Sequence, residues 1–536
     1  MDLTTHGAGE LHAPSRAVGI GFTLLMAAVA LMVVGKSVLY DTLDPDLFWH
    51  LCVAQRVAAM PWPHPLVDDL SFSSLRQPWT PYSWLGELSM KFIWDWGGYR
   101  AALAIQSAMA AGVALFIGLA ASETSAQAHQ QVRRLTAALA AFVGAFIALP
   151  YLSFRPVTFT FLLLAMTSWL LTRDRRRGES SKTLWLLVPL TVLLTNIHLF
   201  AAMIPASLFA LALGAWWEKR SNPTAEGARR FRRYSLLTAA TAAGCLATPM
   251  LPGVIATAAH YQFEDVMVGS RYIQEMLPFY RASPLAPVAA AMALAVMFFA
   301  IRERKLLRAG EWLWIIGTIV ATIRLGRFAP AFAIFAVPTL GATLPRLSDR
   351  VLGRPIAVSA ILLVVLSSGV RIARAFPSAD TPMAQWVNRL SAESSYPTEA
   401  ANFVSTHVQP RSHHILNEFT WGGFLEWRLG NTYQTFLDGR TQLFSSSFWR
   451  STYAATPEQR TAYLSTVVAD AAVLPISGSI LHESLCKLGW QVAYSDKTAE
   501  VLLPPSTVRT AEPSGAQSVP FGQAGGQRAP SSLGKI

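Results

Sequence analysis

The sequence of 536 residues is poor in charged residues and in cysteine. Only 14% of its residues are charged, against about 25% in a typical soluble domain, which argues against an ordinary soluble protein. The three cysteines, Cys52, Cys245 and Cys486, have a spacing that fits no metal or redox motif. A disulfide between Cys52 and Cys486 remains an alternative. The scarcity of charge therefore indicates a membrane protein, and the cysteines indicate no chemistry.

Hydrophobic residues make up 52% of the chain, and they are gathered in long runs. A helix needs about 20 mostly apolar residues to cross a bilayer. Eleven runs qualify: 17–40, 99–121, 133–150, 155–172, 183–198, 200–217, 233–250, 284–301, 309–323, 327–345 and 355–374. The first run lacks a small-residue cleavage site, so it predicts an anchor and not a cleaved signal peptide.

The basic residues behind the net charge of +12 are distributed as expected for membrane topology. They therefore do not predict a nucleic-acid partner. Basic residues cluster in every second loop between the runs, at 133–134, 173–177, 219–233, 302–308 and 346–354. Positive loops stay in the cytoplasm. The pattern predicts a multi-pass protein of the inner membrane with a cytoplasmic N-terminus. Segments 41–98, 251–283 and 375–536 would then lie on the periplasmic side.

Three regions follow from this pattern. Residues 1–374 are predicted to form a transmembrane domain, whose tryptophan-rich outer loop 41–98 would form short helices on the outer face. Residues 375–504 are predicted to form a small α/β domain outside the cytoplasm. Its strand-like runs are 414–416, 435–437, 471–474 and 499–503, and its helical patterns are 398–408 and 457–468. The tail 505–536 has too little apolar surface to fold and is predicted to be disordered. The fold class is thus mainly α-helical, with about eleven transmembrane helices and a small C-terminal α/β domain.

The strongest local feature follows the first run, with the order Asp44-Pro45-Asp46-Leu47-Phe48-Trp49-His50. Asp44 and Asp46 have the oxygen ligands to share a divalent cation, and either carboxylate is a candidate general base. His50, four residues after Asp46, would share a helix face with it. The alternative is that Asp44 or Asp46 only caps a helix.

Further polar residues fall near the predicted outer ends of the spans: Arg155, Asn196, His198, Arg324 and Arg327. Ionisable groups at membrane depth are costly and often functional, and arginines are suited to an anionic phosphate. The alternatives are arginines that reach the lipid head groups and an asparagine and histidine that bond between helices. Glu275 is a further carboxylate of the same predicted sidedness.

Several motifs together resemble those of bacterial membrane proteins of the GT-C glycosyltransferase class. They are the 44–51 segment followed by Pro65, Asp68 or Asp69, Phe72-Ser73, Pro78-Trp79 and Ser83-Trp84-Leu85-Gly86-Glu87; Asn196-Ile197-His198; Arg324-Leu325-Gly326-Arg327-Phe328-Ala329-Pro330; Asn417-Glu418-Phe419-Thr420-Trp421-Gly422-Gly423-Phe424-Leu425; and Phe436-Leu437-Asp438-Gly439-Arg440. The resemblance runs over most of residues 20–503. The sequence departs from the pattern at Phe48, where a second tryptophan is expected.

The resemblance implies a GT-C-type enzyme that moves a sugar from a polyprenyl-phosphate donor to a glycan, lipid or protein acceptor at the outer face of the membrane. Asp46 is our first candidate for the base or metal ligand, followed by Asp44, with His50 also catalytic and with Mg²⁺ or Mn²⁺ as the candidate cation. The candidate substrate-binding residues are Arg324, Arg327, Arg155, Asn196, His198, Trp84, Glu87, Glu275, Glu418, Asp438 and Arg440.

Two alternatives remain open at this stage. A transporter would also place polar groups within a helical bundle, and a non-catalytic component of envelope polysaccharide assembly would need no base. For Asp438 and Arg440, a tight turn with a structural ion pair is an alternative to acceptor binding.

Overall fold

The computed structural model describes residues 16–39, 44–59, 66–125, 130–263, 273–281, 286–344 and 396–505, with isolated helical residues between 359 and 370. The predicted eleventh span at 355–374 lies almost wholly outside the described residues. Segment 375–395 and nearly all of the tail 505–536 also lie outside them.

The described part of residues 16–344 is almost entirely helical, as the long apolar runs predict. Its helices are α1 (Arg16–Leu39), α2 (Leu47–Ala59), α3 (Trp84–Thr124), α4 (Gln130–Ala148), α5 (Pro156–Arg176), α6 (Leu187–Thr195), α7 (Met203–Ser221), α8 (Ala225–Gly244), α9 (Leu251–Phe263), α10 (Ala286–Arg302), α11 (Ala309–Arg324), α12 (Ala329–Phe335) and α13 (Leu340–Thr343). Two short strands, β1 (Leu66–Val67) and β2 (Pro78–Trp79), pair antiparallel between α2 and α3.

The protein is a multi-pass membrane protein. Within the described residues, five helical segments are long and apolar enough to span a bilayer: Gly19–Lys36, Trp84–Thr124, Val132–Tyr151, Pro156–Arg176 and Leu199–Ser221. Shorter apolar helices occupy Lys182–Thr195 and Ala286–Arg302. The structure thus supports at least five spans, and the count of eleven stays a prediction.

Two sequence runs differ from the continuous spans that were predicted. The run 327–345 is divided into α12 and α13 by the 3-10 turn Val337–Thr339, where Pro338 removes a backbone donor. The span predicted to begin at residue 99 is the second part of α3, which starts at Trp84 and kinks at Gly97 and Gly98. The predicted outer loop 41–98 therefore contains α2, the β1–β2 pair and the first turns of α3.

The C-terminal region forms a small mixed sheet flanked by helices. Its helices are α14 (Thr398–His407), α15 (Gly422–Leu429), α16 (Ser446–Ser451), α17 (Pro457–Leu464) and α18 (His482–Lys487), and its strands are β3 (His414–Asn417), β4 (Gln434–Thr435), β5 (Ala471–Pro475), β6 (Gln491–Ser495) and β7 (Ala499–Leu503). The sheet order is β4-β3-β5-β7-β6. The β4, β3 and β5 strands are parallel, and β7 pairs antiparallel with β5 and β6.

The sequence predicted four of these strands and missed β6. The residues of β6 are mostly exposed at the edge of the sheet, so the strand carries no apolar run that would mark it. The predicted strand at 435–437 is shorter in the structure, where β4 ends at Thr435.

One hydrophobic core joins α2 to both α3 and the C-terminal region. Phe48 is completely buried and makes edge-on ring contacts with Trp94 at 5.6 Å, Tyr396 at 5.0 Å and Phe424 at 5.2 Å. The two residues that precede α2, Pro45 and Asp46, are thereby held where the helical part of the chain meets the sheet.

Candidate functional site

A cavity of about 460 Å³ lies between the ends of several helices and the C-terminal region. From the helical part it is lined by residues at helix ends: Asp44, Asp46, His50, Tyr82, Tyr151, Arg155, His198, Tyr261, Glu275 and Arg327. From the C-terminal region it is lined by Phe419, Thr420, Gly439, Thr441 and Gln442. The cavity thus combines segments that are far apart in the sequence.

Asp44 and Asp46 lie just before α2 because the chain turns there to start the helix. The backbone amide of Leu47 donates to the carbonyl of Asp44 (3.0 Å), and the amide of His50 donates to that of Asp46 (3.2 Å). The Asp44 carboxylate accepts from the Asp46 amide (3.0 Å) and from the Ser153 hydroxyl (2.6 Å). Its oxygens are therefore already engaged, whereas 28% of the Asp46 side chain is exposed to the cavity.

Arg155 binds three carboxylates at once. Its Nε lies 3.1 Å from Asp44 Oδ2, its Nη1 lies 3.1 Å from Asp46 Oδ2, and its Nη2 lies 2.6 Å from Glu275 Oε2. Arg155 has the extended backbone typical of a residue before proline, since Pro156 begins α5. Its guanidinium therefore projects from a fixed turn into the cavity wall.

Glu275 links the two cavity arginines. It belongs to the short 3-10 helix Gln274–Met276, and its Oε1 lies 3.0 Å from Nη2 of Arg327. The guanidinium of Arg327 also lies over the ring of Tyr261, 5.9 Å from its centroid. Burial alone would raise the pKa of Glu275, but Arg155 and Arg327 outweigh it and lower this pKa to about 2. Glu275 is thus ionised at neutral pH.

Asp46 differs from Glu275 in its ionisation. Burial in the cavity and the neighbouring Asp44 carboxylate raise the pKa of Asp46 to about 7, even though Arg155 opposes this shift. A carboxylate that titrates near neutral pH has the basicity that suits general base catalysis. Asp46 is therefore the carboxylate of this cavity best placed to accept a proton.

The two cavity histidines are neutral at physiological pH. Burial and the nearby arginines lower the pKa of His198 to about 3 and hold that of His50 well below its usual value. The ring nitrogen Nδ1 of His50 lies 3.2 Å from Oε1 of Glu87, a buried carboxylate that does not line the cavity. The histidines therefore offer hydrogen bonds and no positive charge to a phosphate.

Seven of the predicted binding residues lie outside the cavity lining: Arg324, Asn196, Trp84, Glu87, Glu418, Asp438 and Arg440. Arg324 is exposed at the end of α11. The indole of Trp84 donates to the side-chain carbonyl of Asn196 (2.8 Å), which ties the start of α3 to the end of α6. Glu418 accepts from the hydroxyls of Tyr453 (2.9 Å) and Ser479 (3.0 Å) within the C-terminal region. These contacts favour structural roles over direct substrate contacts.

Asp438 and Arg440 are both buried, with exposures of 0% and 1%. Arg440 is paired with Asp438, lies 2.9 Å from Oδ1 of Asp68 and covers the ring of Trp79 at 5.2 Å. This geometry fits a structural ion pair and leaves neither side chain accessible to an acceptor. The pair connects the C-terminal region to the loop between α2 and α3.

Gly439, between these two residues, lies directly against the candidate base. A Cβ atom at this position would lie 2.2 Å from Oδ1 of Asp46 and 2.6 Å from Nε1 of Trp49. Only glycine leaves room for the Asp46 carboxylate here, because real Cβ atoms do not approach other atoms so closely. In the Asp-Gly-Arg motif, Asp438 and Arg440 thus form the buried ion pair, and Gly439 packs against Asp46 at the cavity.

We expect Gly439→Ala to displace Asp46 and to lower the free energy of unfolding by about 1–3 kcal/mol, the usual cost of overpacking. Gly317→Ala in α11 is the matched control, since a Cβ there meets no atom within 4 Å. Both variants can be compared by thermal unfolding in detergent. Equal stability of the two variants would contradict the close packing of Gly439 on Asp46.

The carboxylates do not fit a divalent cation while Arg155 is in place. Such a cation takes six to eight oxygen ligands at about 2.3–2.6 Å when it is Ca²⁺ and near-octahedral geometry when it is Mg²⁺. Here the guanidinium faces one oxygen of each of Asp44 and Asp46 and both oxygens of Glu275. No group of three or more His, Cys, Asp or Glu in the described part of the chain is arranged to hold a metal ion. The predicted Mg²⁺ or Mn²⁺ site at Asp44 and Asp46 thus does not match this geometry.

Sequence reasoning missed several lining residues. Tyr82, Tyr151 and Tyr261 lie at the cavity without any motif that marks them. The hydroxyl of Tyr261 donates to Gln442 Oε1 (3.2 Å), a contact across 181 residues that joins the end of α9 to the C-terminal region. For Tyr261, the available signal was its place in the same predicted outer segment as Glu275.

Comparisons with known proteins reveal similarity in structure only. No protein-family model matches the sequence, and no curated protein matches it. The archaeal oligosaccharyltransferase AglB from Archaeoglobus fulgidus, in complex with an inhibitory peptide and a dolichol-phosphate, is 13% identical, with 87% of this chain and 70% of that chain covered and a TM-score of 0.53.

Two further structures align less closely. An Archaeoglobus fulgidus oligosaccharyltransferase in complex with Zn and sulfate is 14% identical (84% and 68% of the two chains, TM-score 0.48), and ArnT from Cupriavidus metallidurans in the apo state is 13% identical (91% and 98%, TM-score 0.44). At these identities the likeness concerns the fold, and among these three alignments the one with AglB has a TM-score above 0.5. The chain has a fold similar to that of the AglB oligosaccharyltransferase.

Proposed function

We propose that this protein is a GT-C-type glycosyltransferase that moves a sugar from a polyprenyl-phosphate donor to a hydroxyl of a glycan, lipid or protein acceptor. The observation that carries the proposal is a single cavity lined by a partly buried, weakly acidic carboxylate, Asp46, and by the Arg327 guanidinium. The AglB fold and the dolichol-phosphate in that complex support a lipid-linked donor. The loop charges support the outer face of the bacterial inner membrane as the place of reaction.

The proposed reaction uses the residues of this cavity in separate roles. The acceptor oxygen attacks the anomeric carbon as the bond between that carbon and the phosphate oxygen breaks. Asp46 takes the acceptor proton, and the polyprenyl phosphate leaves with the bonding electron pair. Arg327 faces the cavity and stabilises the growing charge on the leaving phosphate. Asp44 and Arg155 hold the Asp46 carboxylate in place.

The location of the polar groups favours transfer over transport. Asp44, Arg155, His198 and Arg327 all lie between helices or at their ends, together with residues of the C-terminal region. Transporters of helical-bundle type place their substrate site near the bilayer midplane. A cavity lined on one side by loops of the C-terminal region fits a donor that enters from the membrane and an acceptor that enters from outside it.

We expect Arg327→Gln to weaken binding of undecaprenyl phosphate by about 10–100-fold, the effect of losing one charged hydrogen bond of roughly 1.5–3 kcal/mol. Arg324→Gln is the matched control, because Arg324 is exposed and lies outside the cavity lining. Native mass spectrometry of the purified variants measures the bound lipid. Equal losses in both variants, or none in either, would contradict the role of Arg327.

The proposed function is tested with purified protein in lipid nanodiscs. A panel of radiolabelled undecaprenyl-phosphate sugars is supplied together with an envelope extract as the source of acceptor. We expect sugar to be transferred from at least one donor by the wild type, and at a rate about 10²–10⁴-fold lower by Asp46→Asn. Transport of an intact lipid-linked sugar across proteoliposomes, with no transfer from any donor, would favour the transporter instead.

A further inference from the structure

The three cavity carboxylates come from two distant segments and meet at one position. Asp44 and Asp46 precede α2, and Glu275 lies in the 3-10 helix Gln274–Met276. Together they place three carboxylates in one partly buried site. Carboxylates gathered in this way are the ligands that a divalent cation prefers, and repulsion between them makes a compensating charge necessary.

Arg155 supplies the positive charge that compensates these carboxylates. Each of the three guanidinium nitrogens of Arg155 lies nearest to a different carboxylate, at 3.1, 3.1 and 2.6 Å. Only 11% of the Arg155 side chain is exposed, so its guanidinium is a buried part of the site and not a surface group. The two Nη groups of this planar guanidinium donate hydrogen bonds to Asp46 and Glu275. Nε pairs with Asp44 by charge alone, without hydrogen-bond geometry.

The neighbouring residues hold the guanidinium in this position. The Arg155 amide donates to the carbonyl of Ser153 (2.8 Å), and the Ser153 hydroxyl donates to the same Asp44 oxygen that faces Arg155. Pro156 fixes the start of α5 immediately afterwards. Backbone and side-chain contacts thus place the positive charge before any ligand arrives.

We propose that Arg155 takes the place of a divalent cation in this site. The guanidinium neutralises and orients Asp44, Asp46 and Glu275, so that the acidic cavity needs no metal ion, and Arg155 acts as a positioning residue for Asp46. In this structure the three carboxylates are not arranged to hold a metal ion; removal of the guanidinium lets them close around a divalent cation and turns the cavity into a cation site. The inference concerns the acidic cluster itself and goes beyond the proposed transfer reaction, on which it does not depend.

The test measures Mn²⁺ binding to purified protein by electron paramagnetic resonance, with no sugar donor present. We expect no bound Mn²⁺ in the wild type. We expect one bound Mn²⁺ per chain in Arg155→Met, and loss of that ion in the double variant Arg155→Met/Asp46→Asn. Arg324→Met is the matched control, because it removes an arginine that lies outside the cavity, and it should bind no Mn²⁺.

Two results would overturn the proposal. The first is Mn²⁺ binding by the wild type that Asp46→Asn abolishes, since the metal would then occupy the site beside Arg155. The second is a folded Arg155→Met variant that binds no Mn²⁺. If Arg155→Met fails to fold, Arg155→Gln provides the same uncharged site. Whether the wild type binds Mn²⁺ can be measured by titration without either variant. Failure of the transfer assay would leave all these measurements unchanged, so the two proposals are tested separately.

Discussion

Substitution of Asp46 by asparagine is expected to lower the rate of sugar transfer by about 10²–10⁴-fold, the usual contribution of a general base. Asparagine keeps the size of the side chain and an oxygen that faces Arg155 but takes up no proton. Asp69→Asn is the matched control, since Asp69 lies in the same loop and is exposed over 58% of its side chain. It should transfer sugar at the wild-type rate, within about 2-fold. Full activity of a correctly folded Asp46→Asn variant would exclude Asp46 as the base.

The same assignment fixes the pH dependence of transfer. The pKa of Asp46 is raised to about 7 by burial and by Asp44, and the base must be ionised to accept a proton. The rate should therefore fall about tenfold per pH unit below pH 7, and the residual activity of Asp46→Asn should lack this limb. His198 does not produce it, because its pKa is lowered to about 3. An acid limb near pH 4 would indicate a carboxylate with an ordinary pKa.

Stability provides a separate check that Asp46→Asn is folded. A raised pKa means that folding favours the protonated carboxyl. The stability that protonated Asp46 contributes is complete below its unfolded pKa and is lost as the pH rises through 7. Asparagine stays uncharged throughout this range. The variant should therefore be at least as stable as the wild type at pH 8, and a loss of activity there reports on chemistry.

The second large effect is expected at Arg440. Its guanidinium is buried between Asp438 and Asp68 and lies over Trp79. Arg440→Met leaves two buried carboxylates without a counter-charge, which typically costs ~3–5 kcal/mol in the free energy of unfolding. Arg450→Met, an exposed position in the same region, is the matched control and should change stability by less than about 0.5 kcal/mol. Denaturant unfolding in detergent measures both.

At acid pH the free energies of unfolding of Arg440→Met and of the wild type should differ less than at neutral pH. Burial alone would raise the pKa of Asp438, but Arg440 outweighs it and lowers this pKa. The ion pair therefore stabilises the wild type above the ordinary pKa of an aspartate, and this stabilisation is lost as the pH falls through the lowered value. Without Arg440 the carboxylates protonate more readily. A penalty that does not change with pH would point to lost packing on Trp79 as the cause.

Sequence reasoning identified the segments of the cavity better than their contacts. Charge and hydropathy indicated that Asp44, Arg155, His198, Glu275 and Arg327 share one side of the membrane, and in the structure all five line one cavity. The membrane class and four strands of the sheet followed from local apolar runs. These features depend on composition over short windows, which a single sequence displays directly.

Contacts between residues far apart in the chain could not be predicted from the sequence. Arg155 was expected to bind a phosphate, but its partners are carboxylates 109 to 120 residues away in the chain. Arg324 and Arg327 looked equivalent, yet α11 ends at Arg324 and the turn at Gly326–Phe328 points only Arg327 into the cavity. The role of Gly439 could not be predicted, because the sequence does not show that the Asp46 carboxylate packs against this glycine.

A structure of the protein with undecaprenyl phosphate bound tests the central proposal most directly. We predict that the phosphate lies in the cavity within hydrogen-bond distance of Arg327 and beside the Asp46 carboxylate, with Arg155 still bound to Asp44. A lipid phosphate bound away from Arg327, or on a path that crosses the middle of the helical bundle, would contradict the proposed glycosyltransferase site.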